Sequence, residues 1–259
     1  SIESILLAAL VDQGLLDFTQ PVSTYWPEFT GGGKDALTVA DVMRHEAGLA
    51  QLDTSLLATQ LETPALKQNS VGSILERHPL GFPEGSSPRE YHAVTRGWIV
   101  NEIFRRIEPG RRTMGEYLRE HISEPLGIDV YFDINANEAR RLSRVQPRRL
   151  MSQLLDSFSP GSQARRIGLT PGELFKRGRR VLAAVSGSRR PALALPIKGI
   201  KTEGFGVFDS PEYLQAQIPS AGAKCSARGL AKLAAAMANG GQIQGHRVLG
   251  QTALDALHA

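Results

Sequence analysis

Cysteine is nearly absent from this sequence, and long apolar runs are absent altogether. Cys225 is the one cysteine among 259 residues, so an internal disulfide framework is excluded. A single thiol is compatible with a reducing compartment but does not assign one, so localisation stays open. No apolar run approaches the roughly 18 residues that a membrane-spanning helix needs. With a hydrophobic content of 41%, the composition is that of an ordinary globular domain.

The motifs of metal and nucleotide chemistry are also missing. The six histidines include no pair at i, i+4 spacing, and His45-Glu46 is not followed by the second histidine of a zinc-protease helix. The glycines of "TGGGK" at residues 30–34 lack the phosphate-loop spacing, and no dinucleotide-binding glycine pattern follows a strand. There is no Gly-x-Ser-x-Gly elbow. We therefore expect neither a metal nor a cofactor.

Charge is distributed unevenly along the chain. The formal net charge is +4, but residues 138–190 hold thirteen arginines and lysines against three acids, which gives this segment a charge of +10. Such a block can attract nucleic acid or an anionic membrane. It has only two aromatic residues, Phe158 and Phe175, whereas single-strand binders interleave many. A solvated insertion with some helix is therefore favoured. Contact with nucleic acid and contact with an anionic membrane remain the alternatives.

Apolar spacing and capping residues predict a mostly helical chain. An apolar stripe with helical spacing runs from Ile2 to Leu10. The predicted capping residues are Thr38 with Asp41, Thr113 with Glu116, and Ser226. The predicted helix ends are Gly14, Gly48, and Gly240 with Gly241. His45 is expected to be a helix residue with local hydrogen bonds, and strands are expected only near residues 192–200 and 204–208.

Tyr91 and His92 lie where a turn-rich segment meets an apolar helix. Glycine and proline punctuate residues 81–88, and apolar residues recur at near-helical spacing from Trp98 onward. A rigid scaffold can present side chains to a ligand from such a junction. The pair serves either chemistry or the capping and packing of the helix, and these residues alone leave both interpretations open.

Five segments of the chain occur in the order seen in serine β-lactamase-related proteins. They are "LAALVDQGLLDFTQPVSTYWPEF", "LTVADVMRHEAGL", "FPEGSSPREYHAVTRGW", "EYLREHISEPLGI" and "SARGLAKLAAAMANGG…GHRVLGQTALDAL". The chain thus resembles the family that contains class C β-lactamases, penicillin-binding proteins and family VIII-type esterases. The resemblance covers about residues 1–130 and 200–259 and leaves the basic segment unmatched.

The resemblance implies an α+β fold of the serine β-lactamase and penicillin-binding-protein type. It implies that this chain holds mostly the helical lobe and little of the antiparallel sheet. The whole of residues 1–259 would be one incomplete domain. Its parts would be a helical core at 1–137, the basic insertion at 138–190 and a C-terminal part at 191–259.

In the resembled family a Ser-x-x-Lys motif supplies the nucleophile and a nearby base. None of the seven lysines has serine three residues before it, so the motif is absent from residues 1–259. The register of "SIESILLAALVDQG" places its lysine directly before Ser1. The Lys/His-Thr/Ser-Gly strand is also missing, because Lys201-Thr202-Glu203-Gly204 has glutamate where glycine is required. We therefore expect a fragment whose active site is clipped at both ends.

Tyr91 matches the tyrosine of the family's Tyr-x-Asn loop, which implies a catalytic role as general base or proton relay. A phenol needs nearby cations for that role at neutral pH. His92 and Ala93 would border the substrate, although they depart from the usual serine and asparagine. Alanine has no amide to bind a lactam side chain, which favours an esterase or peptidase over an antibiotic-hydrolysing enzyme. The alternative for Tyr91 is a packing residue at the helix start.

The implied function is that of a serine hydrolase, which transfers the acyl group of a small ester, amide or peptide substrate to water through an acyl-enzyme. Without the nucleophile, the chain as given is expected to be inactive. A non-catalytic scaffold that keeps the fold is the alternative. The oligomeric state and the substrate are left open by the sequence.

Overall fold

The structure is a computed structural model that describes residues 2–82, 89–145, 150–159, 161–187, 197–198 and 204–258. Helices dominate these residues, and the strands are two residues long. The α-helices are α1 (Ile2–Asp12), α2 (Val22–Tyr25), α3 (Val39–Met43), α4 (Thr63–Lys67), α5 (Gly72–Arg77), α6 (Thr95–Ile107), α7 (Met114–Leu118), α8 (Glu124–Leu126), α9 (Ala136–Ala139), α10 (Leu150–Phe158), α11 (Gln163–Arg166), α12 (Pro171–Gly187), α13 (Pro211–Gln215), α14 (Ala227–Ala238) and α15 (Gln251–His258). The strands are β1 (Leu56–Leu57), β2 (Val130–Tyr131), β3 (Ile197–Lys198), β4 (Lys224–Cys225), β5 (Gln242–Ile243) and β6 (His246–Arg247).

The chain divides into two compact units. The first comprises Ser1–Leu142, Pro196–Glu203 and Val207–Ala259, and the second comprises Ser143–Leu195 with Gly204–Gly206. The second unit begins after the expected boundary at residue 138. The reason is local, since the Glu138 carboxylate caps α9 and pairs with Arg119 at 2.6 Å within the first unit.

Helix α6 is the centre of the first unit. It contacts α1, α2, α3, α5 and α7. Its buried face carries large apolar side chains, namely Trp98, Ile99, Val100, Ile103 and Phe104. Burying a side chain of this size stabilises a fold by about 1.5–3 kcal/mol. The loop that holds Tyr91 therefore leads directly into a helix that is packed in the core of the unit.

The predicted capping residues are confirmed, but one predicted helix end is wrong. Thr38 and Asp41 form a reciprocal capping box before α3, as do Thr113 and Glu116 before α7. The Ser226 hydroxyl caps α14 by accepting the Gly229 N–H at 3.0 Å. Helix α3, however, ends at Met43 and not at Gly48.

Strands contribute little, as the resemblance implies. β2 pairs antiparallel with β4, and β5 pairs antiparallel with β6 through a turn in which Gln244 and Gly245 both have positive φ. β1 pairs in parallel with β3, which confirms a strand at residues 197–198, while the rest of the predicted segment at 192–200 lies outside the described residues.

The strand predicted at residues 204–208 is wrong. Gly204–Asp209 forms a 3-10 helix. The 3-10 helix is followed by Ser210, whose N–H donates to the Val207 carbonyl at 3.2 Å. The Ser210 hydroxyl caps the next helix, α13. Two glycines within five residues provide too little side-chain surface to hold a strand in a sheet.

A helix that crosses a lipid bilayer needs about 20 predominantly apolar residues, and the described helices of this chain differ from that pattern. Over the part of the chain that the structure describes, none of them has both the length and the apolar character that a membrane span requires.

Candidate active site

Tyr91 lies four residues before α6, at the predicted loop-to-helix junction. Its side chain is 70% exposed, so it does not pack the helix start. Among the described residues its ring contact is with His45, at a centroid separation of 4.7 Å. The structure thus presents the phenol to solvent, whereas the packing interpretation of Tyr91 requires burial.

The residue after Tyr91 is buried and fully bonded. His92 is 1% exposed. Its Nε2 accepts the Leu49 N–H at 3.0 Å, and its Nδ1 lies 2.5 Å from the Glu90 carbonyl oxygen. This pattern requires a neutral ring with the proton on Nδ1. Burial also lowers the pKa of His92, while the hydrogen bond to Glu90 partly opposes that effect.

His45 holds the same loop from the other side. Its carbonyl oxygen accepts the Glu90 N–H at 3.0 Å, and its Nδ1 accepts the His92 N–H at 3.0 Å. Together with the two bonds of the His92 ring, these contacts form a clamp that pins both neighbours of Tyr91. The clamp consists of His45, Leu49, Glu90 and His92.

The clamp depends on a neutral His45. Burial, together with the smaller effect of the Arg96 charge, lowers the pKa of His45 to about 4. Arg96 Nη1 lies 2.8 Å from the His45 Nε2. Because a neutral imidazole has one acceptor nitrogen, it can accept only one of the two donors that face it, and the His92 N–H takes that place. The nearby charge of Arg96 disfavours the protonated ring, which would have no acceptor at all.

A buried ion pair connects the clamp to the start of α1. Arg96 donates to the Glu3 carboxylate, which is fully buried. The Ser220 hydroxyl donates to the other oxygen of Glu3 at 3.0 Å. Gly97 allows the loop at Ser220 to approach α6 closely, because a Cβ at residue 97 would lie 2.5 Å from the Ser220 nitrogen. The first turn of α1, the Tyr91 loop and the loop at Ser220 are therefore held in one network.

The sequence prediction for His45 is wrong, and its structural role was missed. The residue lies beyond the end of α3, in a left-handed conformation with φ of 64°. A signal was available, since His45 falls within one of the five segments that carry the family resemblance. The partners that give it a role, His92 and Arg96, are about fifty residues away in sequence, so no local pattern identifies them.

The structure brings Tyr91, His92 and Ala93 together on one loop but separates their environments. Tyr91 is exposed, His92 is buried and Ala93 is half-buried. In this arrangement the polar atoms of His92 are bound to backbone groups. A positioning role therefore suits His92 better than direct contact with substrate, and its predicted substrate-binding role stays a prediction.

Lys224 is another buried charged side chain of the first unit. Burial lowers its pKa to about 8. Its Nζ donates to three backbone carbonyls, those of Phe132 at 2.7 Å, Tyr213 at 3.2 Å and Ala216 at 3.4 Å. An ammonium bonded in this way ties three chain segments together and is not free to accept a proton from a substrate.

Two further features bear on the chemistry of the first unit. An open groove of about 660 Å³ lies between α1 and α14 and is lined mainly by apolar side chains. Cys225, whose thiol is exposed, lines this groove as well. The residues that the structure describes include no group of three or more histidine, cysteine or acidic side chains that could hold a metal ion.

Solved structures of known proteins have a fold similar to that of this chain. A solved penicillin-binding protein homologue from Caulobacter crescentus is 29% identical, with a TM-score of 0.67 over 100% of this chain and 58% of its own. A family VIII carboxylesterase has a TM-score of 0.65 at 24% identity over 98% of this chain and 57% of its own. This likeness shows the fold alone.

A curated relative and a family model extend the match. The esterase/β-lactamase LipL of Mycobacterium tuberculosis is 31% identical over 248 residues, which are 96% of this chain and 51% of LipL. The chain therefore spans about half the length of this relative. The β-lactamase family model matches residues 1–258. With the α+β fold of penicillin-binding proteins and this match over nearly its whole length, the chain belongs to the β-lactamase family.

Proposed function

We propose that the protein containing this chain is a serine hydrolase that transfers the acyl group of a small ester, amide or peptide to water. The observation that carries the proposal is the exposure of Tyr91, 70%, on a loop whose two neighbouring residues are pinned by the clamp. A catalytic phenol must be both accessible and fixed, since proton transfer requires hydrogen-bond distance in the reacting geometry.

The proposed reaction has two stages. A serine oxygen attacks the acyl carbon, its proton passes through the base to the leaving group, and the bond to the leaving group breaks. Water then attacks the acyl-enzyme, gives one proton back to the serine oxygen and releases the carboxylic acid. In this scheme the Tyr91 hydroxyl carries the proton between the serine and the leaving group.

The proposal requires a nucleophile that residues 1–259 do not contain in the family's motif. We expect Ser-x-x-Lys to be encoded directly before Ser1, because the register of α1 against the family pattern places it there. The network through Glu3 and Arg96 supports this placement, since it links the first turn of α1 to the clamp. The lysine of that motif would also supply the cation that a phenol needs.

Labelling with a fluorophosphonate probe tests the proposal. The full-length protein should take up one equivalent of probe at the predicted serine and hydrolyse p-nitrophenyl esters. Residues 1–259 alone should do neither, because covalent acyl transfer has no starting point in them. A full-length protein with no labelled serine and no turnover would favour the alternative, a scaffold that retains the fold. Labelling of a serine within residues 1–259 would show that the active site lies elsewhere.

A further inference from the structure

Four large apolar side chains of the second unit are open to solvent. The exposed fractions are 66% for Leu155, 62% for Phe158, 65% for Ile167 and 70% for Phe175. Single apolar side chains are common on protein surfaces, but exposed ones that share a face indicate a surface that meets something apolar.

The helices of the unit place part of this apolar surface on one side. Leu154, Leu155 and Phe158 on α10 are spaced at i, i+1 and i+4, so they share one face of the helix. All three side chains are exposed to solvent. Helix α10 is therefore amphipathic, yet a large part of its apolar face is uncovered.

Basic side chains stand next to the exposed apolar ones. Arg165 and Arg166 directly precede Ile167, and Lys176 with Arg177 directly follows Phe175. These four side chains are exposed. Arg177 makes an ion pair with Glu173 at 3.3 Å, an exposed contact that leaves the local charge positive. Exposed apolar and positively charged side chains of the unit are thus neighbours along the sequence.

We propose that the second unit docks on an anionic phospholipid surface. Amphipathic helices that lie in a membrane interface combine large apolar side chains, which enter the acyl boundary, with lysines and arginines that meet the head groups. Residues 143–195, which form most of the second unit, hold eleven arginines and lysines against two acids, and their charge of +9 complements such a surface. This contact is independent of the proposed hydrolase activity.

Nucleic acid suits the same surface less well. A single strand would stack its bases on aromatic rings, and phosphates would be bound by the basic side chains. Two of the four exposed side chains, Leu155 and Ile167, have no aromatic ring, and neither contributes to phosphate binding. A lipid interface accounts for all four apolar residues together with the arginines.

Co-sedimentation with vesicles tests the proposal on the full-length protein. The protein should bind vesicles of phosphatidylcholine mixed with phosphatidylglycerol and should bind phosphatidylcholine alone much more weakly. Arg165→Gln with Arg166→Gln should weaken binding by about fivefold per arginine. The control, Arg228→Gln with Arg247→Gln, removes the same charge from exposed positions of the first unit and should leave binding nearly unchanged.

Substitution of exposed apolar residues distinguishes a lipid surface from a partner that binds through charge alone. Phe158→Ser with Phe175→Ser should lower vesicle binding at least tenfold, whereas Leu57→Ser, at a half-exposed position of the first unit, should not. Circular dichroism should show all variants folded. Equal binding by the serine variant, or no binding of anionic vesicles by the unaltered protein, would overturn the proposal. Salt-sensitive DNA or RNA binding without vesicle binding would replace it with the nucleic-acid alternative.

Discussion

His92 donates its backbone N–H to Nδ1 of His45 at 3.0 Å, although 47 residues separate the two in sequence. The bond places a neutral imidazole ring beside Tyr91 and ties the loop before α6 to the end of α3. A side chain acting on a backbone group in this way fixes a loop that has no regular structure of its own. The position of the Tyr91 phenol therefore depends on the ring of His45.

Tyr91→Phe should separate chemistry from packing in the full-length protein. The substitution removes one hydroxyl from a side chain that is 70% exposed, so the free energy of unfolding should change by less than about 0.5 kcal/mol. Loss of a proton-transfer group should slow turnover by about 10²–10⁴-fold. Ester-hydrolysis kinetics and thermal unfolding measure the two effects. Tyr25→Phe is the control, since that exposed hydroxyl bonds to Asp17 and should leave turnover unchanged. Wild-type turnover in Tyr91→Phe would remove this loop from the mechanism.

His45→Ala should loosen the loop that carries Tyr91. The His92 N–H loses its acceptor, which should cost about 1–3 kcal/mol of unfolding free energy. Tyr91 would then occupy a wider range of positions, and fewer of them would allow proton transfer. The kcat for the ester should therefore fall by a larger factor than the factor by which KM rises. Arg44→Ala, next to it in sequence, removes only exposed ion pairs and should change both quantities little. A loss of stability with unchanged kcat would make His45 purely structural.

Acid should weaken the clamp. The pKa of His45 is lowered from 6.5 to about 4, chiefly by burial, so between these values the unfolded chain binds more protons than the folded chain. The stability that His45 contributes is therefore complete above pH 6.5 and is lost as the pH falls towards 4. Denaturant unfolding should show a smaller loss on acidification for His45→Gln than for the unaltered chain. His92 keeps its own lowered pKa in both proteins, so equal losses would mean that His45 does not titrate as proposed.

Lys224→Met should destabilise the first unit. The variant keeps an unbranched side chain but leaves three carbonyls without their donor, for a cost of about 1–3 kcal/mol. Lys67→Met is the matched control, because Lys67 is exposed and pairs with Glu116, and its loss should cost less than about 1 kcal/mol. Chemical denaturation compares the two variants. Equal effects would show that the three carbonyls find water instead.

Ala93→Asn tests the substrate class in the full-length protein. If the missing amide is what disfavours lactams, the ratio of cephalosporin to ester turnover should rise, because asparagine can donate to the lactam side chain. Ala93 is half-buried beside the exposed Tyr91, so the larger side chain can extend towards solvent. Ala139→Asn, at a half-buried position of α9, controls for general effects of the substitution. An unchanged ratio would mean that position 93 does not set the preference.

Local patterns in the sequence determined the helical character of the chain and its capping residues. Thr38, Thr113 and Ser226 cap helices as predicted, because a side chain and backbone N–H groups two or three residues away interact whatever surrounds them. The same is true of the junction at Tyr91, which glycine and proline before it and the apolar run after it define.

Tertiary structure decided what local patterns could not. Helix α3 ends at Met43 because His45 takes a left-handed conformation and bonds to a loop 47 residues away, although the local sequence permits helix up to Gly48. The burial of His92, the exposure of Tyr91 and the link from Arg96 to Glu3 likewise arise where distant segments meet. Such contacts depend on which segments the whole fold brings together, because hydrogen bonds over long sequence separations form only after the core has placed both partners.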